Sequence, residues 1–464
     1  MEPLSLSRLA EFSGATITAG DPAVTVTRIS TDSRTIQAGE LFVAIRGDNF
    51  DGHRFVEQVA KRGAAGAVVD QDWKGNVPEG FAILRVADAL VGYQKIAAGY
   101  RRCLPLKVIA ITGSNGKTST KDFVAAALGR RFRVTKTEGN FNNHIGLPRT
   151  MLDATAEDEI AVWELGMNHP GEIAALAALA RPDVGIITNI GVAHIEFMGS
   201  REAIAQEKGA LAEAIGTAGT MILNADDPFS ESIAQRTKAK IVSVGVKQGS
   251  VRAEDITQSA SGSEFTIMEG AHRCRAQLPV PGLHMVQNAL LAVAAGRLFG
   301  LSTEECAAGL ASAPLTKARL QLRDIGGVQF LDDSYNANPE SMKAALRTLV
   351  ELESAGRRIA VLGQMSELGS ESERGHAEVG ECAADLGIDH LIAIGELGAA
   401  IARAAEAAGL DKTTTVADSK EAAETLAEIV APGDLVLVKG SRSARTERVL
   451  EEFSKQLSAL SHSA

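Results

Sequence analysis

Cysteine is scarce. Cys103, Cys274, Cys306 and Cys382 are the only four in 464 residues. No two form a C-x-x-C pair, which excludes a zinc ribbon and a dithiol redox site, and a disulfide framework in a chain this long would need more of them. Long apolar runs are missing too: none approaches the roughly 20 residues that span a bilayer, so no membrane insertion is expected. A surplus of positive charge is absent. With 47 basic and 58 acidic residues the formal net charge is −11, which argues against a nucleic-acid binder or a protein of anionic membranes. A locally positive cleft for a small anion is still compatible with that balance. The stretch "MEPLSLSRLAEFSG" lacks the basic start and apolar segment of a signal peptide, and a cytoplasmic location is expected. Nothing such as a coiled coil demands association, so a monomer is expected.

What is present suits a globular chain: 45% hydrophobic and 23% charged residues are ordinary values, and the length allows about three domains. Residues 24–70 hold short β-type runs broken by Gly and Asp. "HRFVEQVAKRGAAGAVVD" then reads as a helix, a Gly stop and a buried strand. From Lys107 the pattern becomes strand, loop, helix, repeated. "KVIAIT", "EIAVWEL", "DVGIITNI", "TMILNAD" and "KIVSVG" are short apolar runs of the kind buried in parallel sheets. Residues 251–280 break the rhythm and read as antiparallel strands. A fresh alternation begins after "SAPLTKARLQ", with strands "VQFLDD", "RIAVLG", "HLIAIG", "TTTVAD" and "DLVLVKG" and helices expected over 339–352, 371–386, 396–409, 419–430 and 444–458. The expected fold is therefore α/β in three domains. These are a small N-terminal α/β unit (1–85), a central doubly wound domain of the P-loop ATPase type (86–314) and a C-terminal Rossmann-like domain (315–464).

The densest chemical signal is "ITGSNGKTST", residues 111–120. Backbone N–H groups, glycines that let them turn inward and a helix N-terminus behind them make a phosphate site. The usual spacing is G-x-x-x-x-G-K-[ST]. Here only Ser114 and Asn115 separate Gly113 from Gly116-Lys117-Thr118, which points away from GTPases and most P-loop kinases. Lys117 suits a terminal phosphate and Thr118 a Mg²⁺ ion.

Other candidates follow strand ends, where open α/β sheets bind ligands. Glu164 ends one such strand; it is either a Mg²⁺ ligand or a solvent-facing acid. His194, in "TNIGVAHIEFMGS", is either structural or a member of the same edge. Lys208, taken alone, reads as a solvated surface residue. "NFNNHIGLP", 140–148, is a loop closed by Gly-Leu-Pro, either a turn-rich connection or a polar contact through its Asn side chains. His284 and Asn288 share a helix face, where Asn288 could read an adenine edge. In "FLDDSYNANPESM", Asn338 has the position of an N-cap, which leaves Asp332, Asp333 and Asn336 unexplained. Lys439, Arg442 and Arg445 form a positive patch in "KGSRSAR".

Together these stretches resemble the Mur ligases, ATP-dependent amide-forming enzymes of peptidoglycan assembly. The resemblance covers essentially the whole chain. The family loop T-G-[ST]-N-G-K-[ST] is matched from Thr112 onward, and "ISTDSRTIQAGELFVAIRGDNFDGHRF" is similar to the family's N-terminal UDP-sugar domain. "NFNNHIGLP" and "DDSYNANPESM" resemble the branch that joins D-alanyl-D-alanine to a UDP-N-acetylmuramoyl-tripeptide. The sister branch that adds the third residue typically carries D-N-P-R, where this chain reads "VLGQMSELG".

The resemblance implies roles. Gly113, Ser114, Asn115, Gly116, Lys117, Thr118 and Ser119 would hold the ATP phosphates, and Asn288, Arg319 and Asp333 would contact the nucleotide. Thr118, Glu164, His194 and Lys208 would serve two Mg²⁺ ions, Lys208 as a carbamate. Lys117, Lys208 and His194 would be catalytic. Ser33 and Arg34 would meet the uridine diphosphate, Asn142 and Asn143 the muramoyl-peptide. The partners implied are small molecules: UDP-MurNAc-tripeptide, D-Ala-D-Ala and ATP. Three alternatives stay open: a sister ligase adding one amino acid, a ligase adding glutamates to folate, and a non-catalytic UDP-sugar-binding regulator.

Overall fold

The computed structural model describes residues 1–47 and 49–463. Asp48, inside the stretch similar to a UDP-sugar domain, and Ala464 lie outside the described residues.

Nine strands form the central sheet. From one edge they run His272–Leu278, Gly262–Glu269, Val251–Ser259, Lys240–Val244, Thr220–Asn224, Val184–Ile187, Lys107–Thr112, Ile160–Glu164 and Val134–Lys136. The six from Lys240–Val244 to the Val134–Lys136 edge are parallel. Val251–Ser259 continues parallel, and the last two add antiparallel, as the loss of the strand–helix rhythm over 251–280 foretold. Lys107–Thr112 lies between Ile160–Glu164 and Val184–Ile187. The chain crosses from one side of it to the other, so the crevice at its carboxyl end is a topological switch point. Near-continuous apolar strands form here because helices cover both faces: Val108, Ile109, Ala110 and Ile111 are fully buried, as is Trp163.

The C-terminal sheet has six strands in the order Gln321–Ile325, Val328–Asp333, Leu435–Lys439, Arg358–Gly363, His390–Ile394 and Thr413–Val416, all parallel after the first. The N-terminal part has a five-stranded sheet between Thr16 and Val86 and a two-stranded pair, Leu4–Ser5 with Thr25–Val26. The run "AVTVTRIS" thus serves two sheets, because Ile29–Ser30 pairs instead with Leu41–Val43.

Helix Ala89–Cys103, capped by Asp88, packs on both Leu6–Ser13 and Gly146–Asp153. Its Tyr100 hydroxyl accepts from Glu2 N and donates to Ala154 O, each at 2.7 Å, so the N-terminal and central parts are tied through one buried phenol. Helix Leu283–Leu298 is apolar nearly all round and is correspondingly buried. One continuous core runs from Leu6 through Trp163 to Leu437.

Two local readings need correction. Gly146-Leu147-Pro148 does not close a loop but forms the first turn of helix Gly146–Asp153, where proline costs no hydrogen bond. The last helix runs Glu447–Ser463, preceded by a 3₁₀ turn over Arg442–Ala444.

Candidate active site

The phosphate loop sits where the switch point puts it, and its glycines are sterically required. Gly113 has φ 148° and Gly116 φ 79°. A Cβ on Gly113 would lie 1.8 Å from Thr188 Oγ1, and one on Gly116 2.5 Å from Asn288 Oδ1. The loop is pinned from the neighbouring strand end: Asn115 N donates to Asn189 Oδ1 (3.0 Å), Thr188 Oγ1 to Asn115 O (2.5 Å) and Gly191 N to Ser114 Oγ (2.8 Å). Gly116 caps helix Lys117–Leu128 in the left-handed region, so the helix N-terminus faces the crevice. Lys117 Nζ donates to Gly113 O at 2.8 Å. Burial pushes its pKa down; Glu164 works against the shift and Arg319 with it.

Around this loop lies a cavity of about 500 Å³ lined from two domains. The central domain contributes Ser114 to Ser119, Asn142, Glu164, His194, His284 and Asn288; the C-terminal domain contributes Arg319, Asp333, Tyr335, Asn338, Glu340 and Lys439. Polar contacts bridge the two. Arg319 Nη2 donates to Thr118 Oγ1 (3.0 Å), Asn338 Nδ2 to Asn115 Oδ1 (2.7 Å) and Val192 N to Glu340 Oε1 (3.0 Å). Arg319 also lies over the Tyr335 ring, 4.3 Å from its centroid. Asn338 does cap helix Pro339–Glu351, and its other amide atom reaches the phosphate loop. Lys439 is not part of a surface patch: it is buried and donates to Asp333 Oδ2 at 2.6 Å. Arg442 and Arg445 remain exposed.

Glu164 is not a solvent-facing acid; it is 1% exposed. Its Oε2 meets Thr118 Oγ1 and Asn142 Nδ2 only at 3.4 Å each. Its Oε1 has no hydrogen-bond partner and lies 3.5 Å from Lys121 Nζ. A buried carboxylate with one orphaned oxygen and the other held only loosely by a threonine hydroxyl fits a hard divalent cation. Among the described residues no ready-made cluster of three or more His, Cys, Asp or Glu stands at any point.

Lys208 corrects the surface reading most sharply. It is 1% exposed, on helix Arg201–Ala214. Burial and the nearby positive charge of Lys117 hold its pKa well below the usual lysine value, against the pull of Glu207. His194 lines the cavity with its Nδ1 2.5 Å from Glu367 Oε2. His284, also at the cavity, has its pKa pushed down to about 4 by burial, with Asp333 opposing and Lys439 assisting.

Of the expected substrate contacts, Asn142 lines the cavity. Asn143 does not; its Oδ1 accepts from Ile145 N and Gly146 N and starts the following helix. Ser33 and Arg34 lie in the N-terminal part, away from this cavity, with Arg34 in a two-pronged pair with Asp32. Thr188, Asn189, Lys121, Tyr335 and Glu367 went unread. They lie within or beside stretches singled out for other residues, and their own part shows only once the strands are in order.

Family models match most of the chain: "Mur ligase family, catalytic domain" at residues 25–91, "Mur ligase middle domain" at 111–296 and "Mur ligase, glutamate ligase domain" at 318–442. A UDP-N-acetylmuramoyl-tripeptide–D-alanyl-D-alanine ligase of Bacillus subtilis is 39% identical over 427 residues, 92% of either chain. The chain belongs to the Mur ligase family. The ligase of the same description from Escherichia coli is 36% identical over 97% of this Mur ligase and 98% of its own length. Among solved structures, a MurF from Acinetobacter baumannii superposes with a TM-score of 0.91 at 33% identity, covering 98% of this chain and 99% of the other. A MurF ligase from Thermotoga maritima, in complex with ADP, does so at 0.84 and 29%, covering 93% and 98%. The three-domain α/β architecture expected from the sequence is the architecture of these enzymes.

Proposed function

We propose that this Mur ligase joins D-alanyl-D-alanine to UDP-N-acetylmuramoyl-tripeptide at the expense of ATP, releasing ADP and phosphate. The observation that carries the reading is the convergence of the phosphate loop, buried Glu164 and the Arg319–Asp333 segment of the C-terminal domain on one cavity. The full-length likeness to ligases of that description supports the choice of substrates.

A carboxylate resists an amine because its charge and its leaving group both oppose substitution. In the proposed reaction a carboxylate oxygen of the tripeptide attacks the γ-phosphorus of ATP, and ADP leaves. The dipeptide amine then attacks the acyl phosphate carbon, loses its proton, and phosphate departs. Lys117 and the loop N–H groups stabilise charge on the transferring oxygens. Arg319, stacked on Tyr335, approaches from the opposite wall. Enclosure between two domains keeps water from hydrolysing the mixed anhydride.

Thr118, Glu164, His194 and a carbamylated Lys208 would hold the two Mg²⁺ ions, which supply charge neutralisation at the phosphate oxygens. Carbamylation needs a neutral amine, and burial shifts Lys208 towards that form. Ser33, Arg34 and Asn142 remain the proposed contacts to the UDP-sugar and peptide. Both walls of the cavity come from one chain, so a monomer suffices, and the substrates place the reaction in the cytoplasm. The experiment is a phosphate-release screen of ATP and UDP-MurNAc-tripeptide with D-Ala-D-Ala against single amino acids, with ¹⁸O in the acceptor carboxylate. Turnover confined to the dipeptide, with label in the phosphate, is expected; turnover with a single amino acid instead, or unlabelled phosphate, would overturn it.

A further inference from the structure

Residues 315–320 join the central domain to the C-terminal one, and they are held to the phosphate-loop helix Lys117–Leu128 at two points. Arg319 Nη2 donates to Thr118 Oγ1 at 3.0 Å. Thr316 N and Oγ1 both donate to Asp122 Oδ2, at 2.9 and 2.7 Å. Thr118 and Asp122 stand at i and i+4, so both anchor points share one face of the helix. The Asp122 side chain is wholly buried. Its two oxygens face different ways: Oδ2 meets the linker, while Oδ1 accepts from Lys136 Nζ at 2.7 Å and lies 3.4 Å from Lys121 Nζ.

Arg319 is what the linker presents to the cavity. Its Nε is buried without a partner, a donor left over for an anion. Left-handed backbones flank it, Ala318 at φ 59° and Leu320 at φ 53°, and residues with side chains keep that conformation only where their surroundings over-determine it. An apolar pair of similar volume would often hold two surfaces together at less cost than a buried carboxylate. What the carboxylate adds is direction, because its paired bonds from Thr316 admit one register of the linker on the helix. We propose that Asp122 is a positioning residue: by holding Thr316 one helical turn beyond Thr118, it fixes the reach of Arg319 into the cavity.

The kinetic half of the test rests on the ligase reading; the binding half does not. Assays run well below each variant's thermal midpoint, so that loss of fold does not count. In Asp122→Ala, kcat should fall roughly 10- to 100-fold, with KM for the UDP-linked tripeptide within about twofold of wild type. Thr316→Val, which keeps the N–H but not the hydroxyl, should fall between that variant and wild type, and Thr316→Ser should behave as wild type. The double variant Asp122→Ala/Arg319→Ala should be no slower than Arg319→Ala, since the one residue acts through the other. Calorimetry with a non-hydrolysable ATP analogue repeats the cycle without turnover: Asp122→Ala should weaken binding, and the double variant should bind no more weakly than Arg319→Ala. Trypsin should also cut faster after Lys317, exposed between the two anchors, in Asp122→Ala and Thr316→Val than in wild type. Should Asp122→Ala fail to fold, the Thr316 variants carry the same comparisons. Wild-type kcat and affinity in the single variants, losses that multiply in the double variant, or cleavage no faster than in wild type would overturn the proposal; an affinity cycle that closes in a protein without ligase turnover would uphold it and overturn only the ligase reading.

Discussion

At the scale of single residues, burial decides what a side chain can do, and sequence shows burial poorly. Lys208 lies in "AIAQEKGAL", a stretch with the look of a solvated helix face, yet it is 1% exposed. Burial disfavours the charged ammonium and shifts Lys208 towards the neutral amine against the pull of Glu207, and the neutral amine is the form that reacts with carbon dioxide. Lys208→Ala should therefore lose ligation, and short carboxylic acids should restore part of it by occupying the vacated space; wild-type phosphate release by the variant without additive would refute the carbamate. His284 makes a separate, pH-readable case. Its folded pKa is about 4 against an ordinary 6.5. Between those values the unfolded chain binds a proton that the native chain does not, so stability falls as pH drops from 6.5 towards 4. Full burial would make this roughly 3 kcal/mol; the ring borders a cavity, so about 2 kcal/mol is expected. Urea midpoints at pH 7.5 and pH 5 should separate less in His284→Gln than in wild type, and equal separation would show that another group carries the acid sensitivity. The neighbouring asparagines show the same limit in miniature. In "NFNN", Asn142 reaches the cavity while Asn143 accepts from the backbone of Ile145 and Gly146 at the start of the next helix, a division that depends on which way the chain turns.

Elements were far more legible than contacts. Apolar runs bounded by glycine located the buried strands because a parallel sheet covered on both faces tolerates nothing else. The shortened loop was recognisable because Gly113 and Gly116 answer a backbone requirement that few other residues meet. Illegible were the parts that depend on strand order: Thr188 and Asn189 hold the phosphate loop only because Val184–Ile187 lies beside Lys107–Thr112. The loop's rigidity has a measurable consequence. Gly116→Ala combines a left-handed backbone, costing about 1–2 kcal/mol for alanine, with a Cβ placed 2.5 Å from buried Asn288. Nucleotide affinity should fall at least about tenfold, which on its own corresponds to roughly 1.4 kcal/mol, and the thermal midpoint should drop. Adding Asn288→Ala should return part of the thermal midpoint by opening the space, but not the affinity. Titration calorimetry with ADP and scanning calorimetry read the two effects apart, and an undiminished ADP affinity in Gly116→Ala would contradict the placement of the loop.

Over the whole molecule, the cavity exists only while the C-terminal domain stands against the central one. The linker bears the strain of that arrangement: Ala318 and Leu320 have φ of 59° and 53°, at roughly 1–2 kcal/mol for each non-glycine residue. Between them Arg319 is drawn to Thr118, and Thr316 is anchored through N and Oγ1 to Asp122 Oδ2 at 2.9 and 2.7 Å. Polar contacts of this kind are individually weak once water competes for them. Phosphates bound between Lys117 and Arg319, as proposed, would engage both walls at once, so ATP and the UDP-linked peptide would favour the closed arrangement by their differential affinity for it. Moving a population from almost wholly open to almost wholly closed takes about 5.5 kcal/mol of such preference, within reach of several charge-assisted contacts of about 1.5–3 kcal/mol each. We therefore expect residues 315–464 to swing as a body about the linker. The radius of gyration from small-angle scattering should fall when a non-hydrolysable ATP analogue and UDP-MurNAc-tripeptide are added together. Arg319→Ala, which removes the grip on the Thr118 side, should bind the tripeptide through the N-terminal domain yet compact less. Scattering curves that stay superimposable at saturating ligand would mean that the domains are already locked, and that exclusion of water from the acyl phosphate is achieved without a hinge.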